Sequence, residues 1–334
     1  MRYIEAVRAQ GKNLRISRAA VSGQLSSLDL TPWRDRRLGL VGMGASANAI
    51  TATLQSYWSA ALTAAPWLGS ELSQAGTAAG LEAVIAVSQG GESAEIIAAL
   101  RGLPDGVASL AVTDAPESPV GRLARAALDL ELLEDSNVRT IGYTGTVQGL
   151  LLLADALAPG RAPAADWDRL ADQVEELVPA AEQLAGQLLE TLRAARSFDL
   201  VGSGVHAGTA AQGALLLREV AKLPAAAYET YQYLHGPIEA AGPGLMLLVT
   251  GGTREVKLAQ SMAEAGATVV LVTAAAEAGE SRPGLTVFPL PATGPAAEAI
   301  LGILPAQAIS GALADAAGLP DGEFRYHQDD TKVR

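Results

Sequence analysis

The chain contains no cysteine, which excludes disulfides, thiolate metal sites and a cysteine nucleophile. It has only three histidines, His206, His235 and His327, spaced too widely for a local metal motif. Aromatics make up 4% of the residues, so a core must be built from Ala, Leu, Val and Gly, whose small side chains let helices approach a sheet closely. Basic residues are outnumbered, 24 against 36 acidic ones, and the resulting net charge of −12 repels a phosphodiester backbone, so nucleic acid is disfavoured as a partner. No uninterrupted apolar run reaches roughly 18 residues, the length a membrane helix needs. Met1 to Gln10 mixes Arg2, Glu5 and Arg8 among apolar residues and does not read as a signal peptide or anchor. A soluble, cytoplasmic protein without membrane association is expected. What the chain does have is 334 residues, 49% of them hydrophobic, at a mean hydropathy of +0.22. That is material for about two buried cores.

Short apolar runs at 38–41, 83–87, 109–112 and 127–130 read as buried strands, separated by helical stretches at 46–62, 93–103 and 140–157. Strands alternating with helices imply parallel βαβ units. Pro159, Gly160 and Pro163 then punctuate the chain, and 166–196 reads as helical, a connector between two sheets. The plan repeats, with strands at 198–201, 245–249, 268–272 and 286–290 and helices at 206–222, 254–265 and 296–316. Leu40-Val41-Gly42-Met43-Gly44 and Leu200-Val201-Gly202-Ser203-Gly204 match at a separation of 160 residues, too long a period for a solenoid. The expected fold is α/β, two tandem three-layer α/β/α sandwiches with mainly parallel sheets. Residues 1–30 are expected to form an N-terminal helical segment, 31–158 the first domain, 159–194 a helical connector, and 195–334 the second domain with a C-terminal tail.

Four stretches carry candidate chemistry. Gly42-x-Gly44-x-x-Ala47 fits a phosphate turn, a dinucleotide fingerprint, or plain strand–helix packing through glycine. A nicotinamide site would want an acidic residue about 20 positions on, and 60–69 holds none, which disfavours NAD. Ser88-Gln89-Gly90-Gly91-Glu92-Ser93 follows a strand and opens a helix, placing two hydroxyls, an amide and flexible backbone where helix N–H groups lack partners. An N-cap would account for Ser93 alone, so the turn is read as a phosphate site. On the helix over 206–222, Ala210, Ala214, Leu217 and Ala221 recur at helical spacing and should face the sheet. Gln212 and Glu219 share the other face with Leu215 and Leu216, a face expected to look into a cleft. Position alone leaves Glu219 open to a bland reading as a solvated carboxylate. Apolar Leu216 beside it is expected to raise its pKa. His235-Gly236-Pro237 follows Tyr228, Tyr231 and Tyr233, and the Gly-Pro pair presents the imidazole from a fixed turn, suited to proton transfer or to a structural bond with backbone.

Together these segments resemble the sugar isomerase (SIS) domain family in its duplicated form, that of the isomerase half of glucosamine-6-phosphate synthase and of related phosphosugar isomerases, deaminases and deglycases. The resemblance runs from about Leu30 to the C-terminus. It implies that Ser46, Ser88, Gln89, Gly90 and Ser93 hold a sugar phosphate and that Glu219 is the base moving a proton between C1 and C2. It further implies that His235 opens the sugar ring from the partner subunit of a homodimer, and that Lys332 in the tail Asp329-Asp330-Thr331-Lys332 completes the site. The family member with a glutaminase carries Ser where this chain has Gly90 and Lys where it has Leu216, and the stretch Asn137 to Thr144 differs too. These residues are expected to carry no glutamine-hydrolysing domain. The expected function is an enzyme acting on a 6-phosphorylated sugar or amino sugar by a C1–C2 proton shift, with no cofactor and no metal. Amino-sugar-phosphate deaminase or deglycase chemistry, or a non-catalytic phosphosugar sensor, are the alternatives.

Overall fold

The computed structural model describes residues 1–163, 165–326, 328 and 330–333, so His327 and Asp329 lie outside the described residues. Helix α1 (Tyr3–Ser27) leads into the first half: β1 (Leu38–Gly42), α2 (Ala45–Ser59), β2 (Ala64–Leu68), α3 (Gly69–Ala75), β3 (Ala83–Val87), α4 (Ala94–Arg101), β4 (Ala108–Thr113), α5 (Pro119–Leu123), β5 (Ala126–Asp129) and α6 (Ile141–Leu157). Helices α7 (Trp167–Gln187) and α8 (Leu189–Ala194) follow. The second half has β6 (Ser197–Gly202), α9 (Val205–Glu219), β7 (Ala225–Glu229), α10 (Thr230–Leu234), β8 (Leu245–Thr250), α11 (Thr253–Glu264), β9 (Thr268–Thr273), β10 (Leu285–Pro289), α12 (Pro295–Leu301) and α13 (Leu304–Ala316).

Each half builds one five-stranded parallel sheet with helices on both sides. The first has the order β2-β1-β3-β4-β5 and the second β10-β9-β8-β6-β7. Numbered within its own half, each is the same 2-1-3-4-5 arrangement, so the duplication expected from the Gly-x-Gly repeat is present in the topology. It extends to backbone angles: Gly44 before α2 has φ 52° and ψ −128°, and Gly204 before α9 has φ 59° and ψ −125°. The inner strands β1, β3, β4 and β8 are buried along their whole length, as a sheet covered on both faces requires.

The chain divides into two compact units, one of 12–134, 141–167 and 324–334, the other of 1–11, 135–140 and 168–323. The tail therefore packs with the first half's sheet, although it follows the second half in sequence. The core of one unit centres on Val41, Val84, Ala86, Ile96 and Ala111, and that of the other on Val201, Leu247, Val249, Val269 and Leu271.

Several details differ from the sequence expectation. Strands β2 and β7 are additional, both at sheet edges. Ala64-Ala65-Pro66-Trp67-Leu68 lacks β-branched residues, and Pro66 is tolerated because an edge strand can forgo a ladder donor. The helical stretch over 166–196 forms two helices that part at Leu188, and that over 296–316 two that part at Gly302-Ile303. The stretch Pro295–Ala316 reaches a hydropathy of 1.4, yet 89% of that window is buried in the protein. Helix α9 ends at Glu219 rather than Lys222, whose φ of 57° is left-handed.

Candidate functional site

Strands β1 and β3 are neighbours, with Val41 opposite Ala86, so the turns that leave them emerge side by side at the carboxyl edge of the sheet. That edge is where ligands bind in open parallel sheets. The Ser88–Ser93 turn is held by its backbone. The Ser88 N–H donates to Val112 O at 3.1 Å, the Gly91 N–H to Ser88 O at 3.0 Å, and Gln89 O accepts from the Asp114 N–H at 2.9 Å and from Thr113 Oγ1 at 3.0 Å. Gly91 has φ 64°, and a Cβ there would collide with the Ser118 side chain, so only glycine closes the turn. Gly90 is exposed with open space around it.

The side chains of this turn are not consumed by its own architecture. Ser93 is the N-cap of α4 but makes no side-chain cap bond; its Oγ accepts instead from Ser88 Oγ at 3.3 Å. The plain capping role therefore fails to account for either hydroxyl. The Gln89 amide lies against Gly142 in the first turn of α6, where a Cβ would overlap it. Ser46 sits in the first turn of α2, in the neighbouring turn, with its N–H donating to Met43 O at 3.1 Å.

The C-terminal tail reaches this turn. Lys332 pairs with Ser93 as an antiparallel bridge, flanked by Ala94 N–H to Thr331 O at 3.1 Å and Val333 N–H to Glu92 O at 2.9 Å. The structure thus brings Ser88, Gln89, Gly90, Ser93 and Lys332 together, with Ser46 on the adjoining turn. The tail's backbone also satisfies one of the N–H groups at the start of α4.

Glu219 and His235 belong to the other compact unit. The stripe Ala210, Ala214, Leu217 and Ala221 is buried as expected. The opposite face is not the open polar face expected, because Gln212 is 1% and Leu216 0% exposed. Helix α9 is covered on that side too, since it packs on α12 and α13 as well as on β6 and β7. Only Leu215, Arg218 and Glu219 keep access towards its end. Burial is the main reason the Glu219 carboxyl is held above its ordinary pKa, in the direction expected from Leu216; Lys222 acts against it.

Lys222 was not singled out by the sequence. A cation does stand near the carboxylate, one turn after it rather than at position 216. Its Nζ donates to Glu219 O at 2.5 Å and to Glu323 O at 2.6 Å. Helical periodicity running through 222 concealed the left-handed residue that turns this side chain back. Nearby, Asp135 accepts from the Thr140 N–H at 3.1 Å and from Thr140 Oγ1 at 3.1 Å, fixing the loop that leads into α6.

His235 is the C-cap of α10, exposed, and followed by Gly236 at φ 148° and by Pro237 opening a 3₁₀ turn to Ala240. It is presented between two short helices, as the Gly-Pro pair predicts. Buried Tyr233, its ring 5.4 Å from that of Tyr228, anchors α10.

No family model matches the chain. Among curated proteins it is 28% identical over 245 residues to a glutamine–fructose-6-phosphate aminotransferase (isomerizing) of Gloeobacter violaceus, covering 69% of this chain and 40% of that protein. It is 29% identical over 240 residues to the enzyme of the same name in Thermus thermophilus, covering 66% and 39%. The chain thus spans about 40% of the length of these curated relatives. Among solved structures it superposes on a glucosamine-6-phosphate deaminase from Thermotoga maritima with a TM-score of 0.78 at 20% identity, covering 99% of both chains. It also superposes on a tagatose-6-phosphate ketose/aldose isomerase from Escherichia coli, with a TM-score of 0.73 at 18% identity and coverage of 99% and 95%. These relatives and the shared fold support the resemblance to the SIS domain family. The chain's fold is the duplicated SIS fold, and the hydroxyl-bearing turn lies in the first SIS half.

Proposed function

We propose that this double-SIS protein is a cytoplasmic enzyme that binds a 6-phosphorylated sugar or amino sugar and moves a proton between C1 and C2 through an enediol or enolamine. The observation that carries this reading is the Ser88–Ser93 turn, with two hydroxyls turned to each other and free of capping duty at the mouth of a parallel sheet. Such a turn suits a phosphate monoester without a cationic clamp. Lys332, whose backbone pairs with that of Ser93, is the cation this reading assigns to the rim of the turn. The names of the structural neighbours, a deaminase and an isomerase of 6-phosphosugars, support the substrate class.

In this reading Ser46, Ser88, Gln89, Ser93 and the backbone at Gly90 hold the phosphate, and Glu219 is the base. Proton abstraction from carbon by a carboxylate works only when the charge left behind is delocalised as an enediolate and the base lies within about 3 Å of the proton. A carboxyl raised by burial is better matched to neutral pH than an exposed one, because proton transfer is most efficient when donor and acceptor strengths are close. His235, exposed on its turn, is proposed to serve ring opening in the partner subunit of a homodimer. Loss of an amine from C2 would use the same proton shift, so deaminase or deglycase chemistry is the second reading.

The test is a thermal-shift panel of 6-phosphosugars and 6-phospho amino sugars, then incubation of the best ligand in deuterated water. Deuterium incorporated at C1 or C2 is expected; a ligand that stabilises the protein but never exchanges makes it a sensor. For the shared site, randomly mixed His235→Ala and Glu219→Gln protomers should regain about a quarter of wild-type activity if each site draws on both chains of a two-fold dimer. Verified mixed dimers without activity would assign both groups to one chain.

A further inference from the structure

The second SIS half contains a counterpart of the Ser88–Ser93 turn, and the strand registers locate it. Val41 lies opposite Ala86, and its repeat mate Val201 lies opposite Val249, which sets Ser88 against Gly251. The backbone bonds agree. The Ser88 N–H donates to Val112 O and the Gly251 N–H to Val272 O, both at 3.1 Å. Thr113 Oγ1 accepts from the Ala115 N–H at 3.1 Å and Thr273 Oγ1 from the Ala275 N–H at 3.0 Å, although Thr113 Oγ1 donates to Gln89 O and Thr273 Oγ1 one position earlier, to Gly251 O. The frames match in strand register and in these anchors, but the residues at the mouth differ: Ser88 and Gln89 give way to Gly251 and Gly252.

Into this second turn projects Glu255, 2% exposed, from the first turn of α11. Its Oε2 accepts from the Gly252 N–H at 3.1 Å, and its Oε1 accepts from Ser203 Oγ at 2.8 Å and from Thr230 Oγ1 at 2.5 Å. Helix capping explains only the bond to Gly252. The two hydroxyls come from other elements, the β6–α9 turn and the start of α10, and converge on one carboxylate oxygen. Gly251 is part of the same device. Its φ is 154°, and a Cβ there would lie 2.5 Å from Glu255 Cγ, so a serine like Ser88 and this carboxylate exclude each other.

We infer that Glu255 is a built-in anion that occupies the second half's phosphate turn, so that each chain binds phosphate in the first half only. The chemical basis is substitution: a carboxylate held by two hydroxyls and a backbone N–H presents the charge and acceptor geometry that a phosphate monoester would bring. A second anion beside it would meet like charge in a buried setting. The inference rests on the reading of Ser88–Ser93 as a phosphate site, and it assigns the two halves opposite roles.

The test is calorimetric titration and thermal shift with inorganic phosphate and with glucosamine 6-phosphate, on wild type, Glu255→Ala and Glu255→Gln. Wild type should take one equivalent of phosphate per chain. Glu255→Ala should melt lower in phosphate-free buffer, recover as phosphate is added, and take two equivalents. Glu255→Gln, which fills the same space, should still take one. A second equivalent on wild type overturns the inference, as does a folded Glu255→Ala protein that responds to phosphate no more than wild type. Repeating the series in a Ser88→Ala/Ser93→Ala background separates the two readings: there Glu255 chains should take no phosphate and Glu255→Ala chains one. A wild type that binds no phosphosugar fails the first-half reading, while the gain in that background still judges Glu255. If Glu255→Ala folds only in phosphate buffer the inference stands, and if it folds in neither, wild-type stoichiometry alone decides it.

Discussion

The two halves of this molecule share a strand order, a Gly-x-Gly turn and a threonine at the end of the next strand, yet they treat their carboxyl edges oppositely. The first half leaves Ser88 and Ser93 facing each other, with Lys332 alongside. The second fills the same place with its own carboxylate, Glu255, seated on Ser203, Thr230 and Gly252. Duplication supplies two sheets of the same order and register, and a few side chains at the mouth set them apart. In the proposed reading the second half contributes instead through Glu219 and His235, groups suited to moving protons rather than holding phosphate.

The largest effect expected from breaking this division is at Glu219. Glu219→Gln keeps the shape and removes the base, so C–H exchange should fall by about 10²–10⁴-fold while phosphosugar affinity changes little. The pH dependence follows from its raised pKa. The base is competent only when ionised, so exchange should increase as pH rises through a value above the ordinary 4.5 of a glutamic acid. The stability linkage runs the other way. A raised folded-state pKa favours the folded chain below the unfolded value, and that contribution is lost as pH climbs through the folded one. Glu219→Gln should flatten the fall in melting temperature across this window; an unchanged slope would mean the carboxyl is not buried in the working protein.

The next largest contrast sets the two turns against each other. Ser88→Ala with Ser93→Ala should weaken phosphosugar binding by about 1.5–3 kcal/mol for each lost bond to the charged group. Thr253→Ala, on the second turn, should leave that affinity unchanged, because Thr253 Oγ1 donates to Glu277. Equal losses in titration calorimetry from both sets would erase the distinction between the halves.

The smallest effect sharpens the comparison with the family. Gly90 has a negative φ and empty space where a Cβ would go, so Gly90→Ser should alter stability by no more than about 0.5 kcal/mol. The added hydroxyl should tighten phosphate binding several-fold in the same titration. Gly91→Ala one residue on should instead destabilise the turn, since its φ of 64° and the Ser118 side chain both oppose a Cβ.

Much of this was legible in the residues themselves. Continuous apolar runs such as Ala83–Val87 and Leu245–Val249 announce strands covered on both faces, because a parallel sheet between helix layers has no wet side. The repeated Gly-x-Gly at 42–44 and 202–204 announced the duplication. The hydroxyls and glycines of 88–93 carry their chemistry in their composition. The edge strand Ala64–Leu68 was not legible, since alanine and proline give no strand pattern and pairing with β1 alone makes it one. Nor was the buried far face of α9, which looks amphipathic until α12 and α13 cover it.

Local sequence, then, determined the inner strands, most of the helices and which turn is rich in hydroxyls and glycines, because periodicity and turn chemistry act over a few residues. Tertiary structure decided the rest. It laid Thr331–Val333 beside Glu92–Ala94, turned Lys222 back towards Glu219, raised that carboxyl by burial, and seated Glu255 on hydroxyls from residues 203 and 230. Each of these depends on groups distant in the chain meeting where water is excluded, and only packing determines which of them meet.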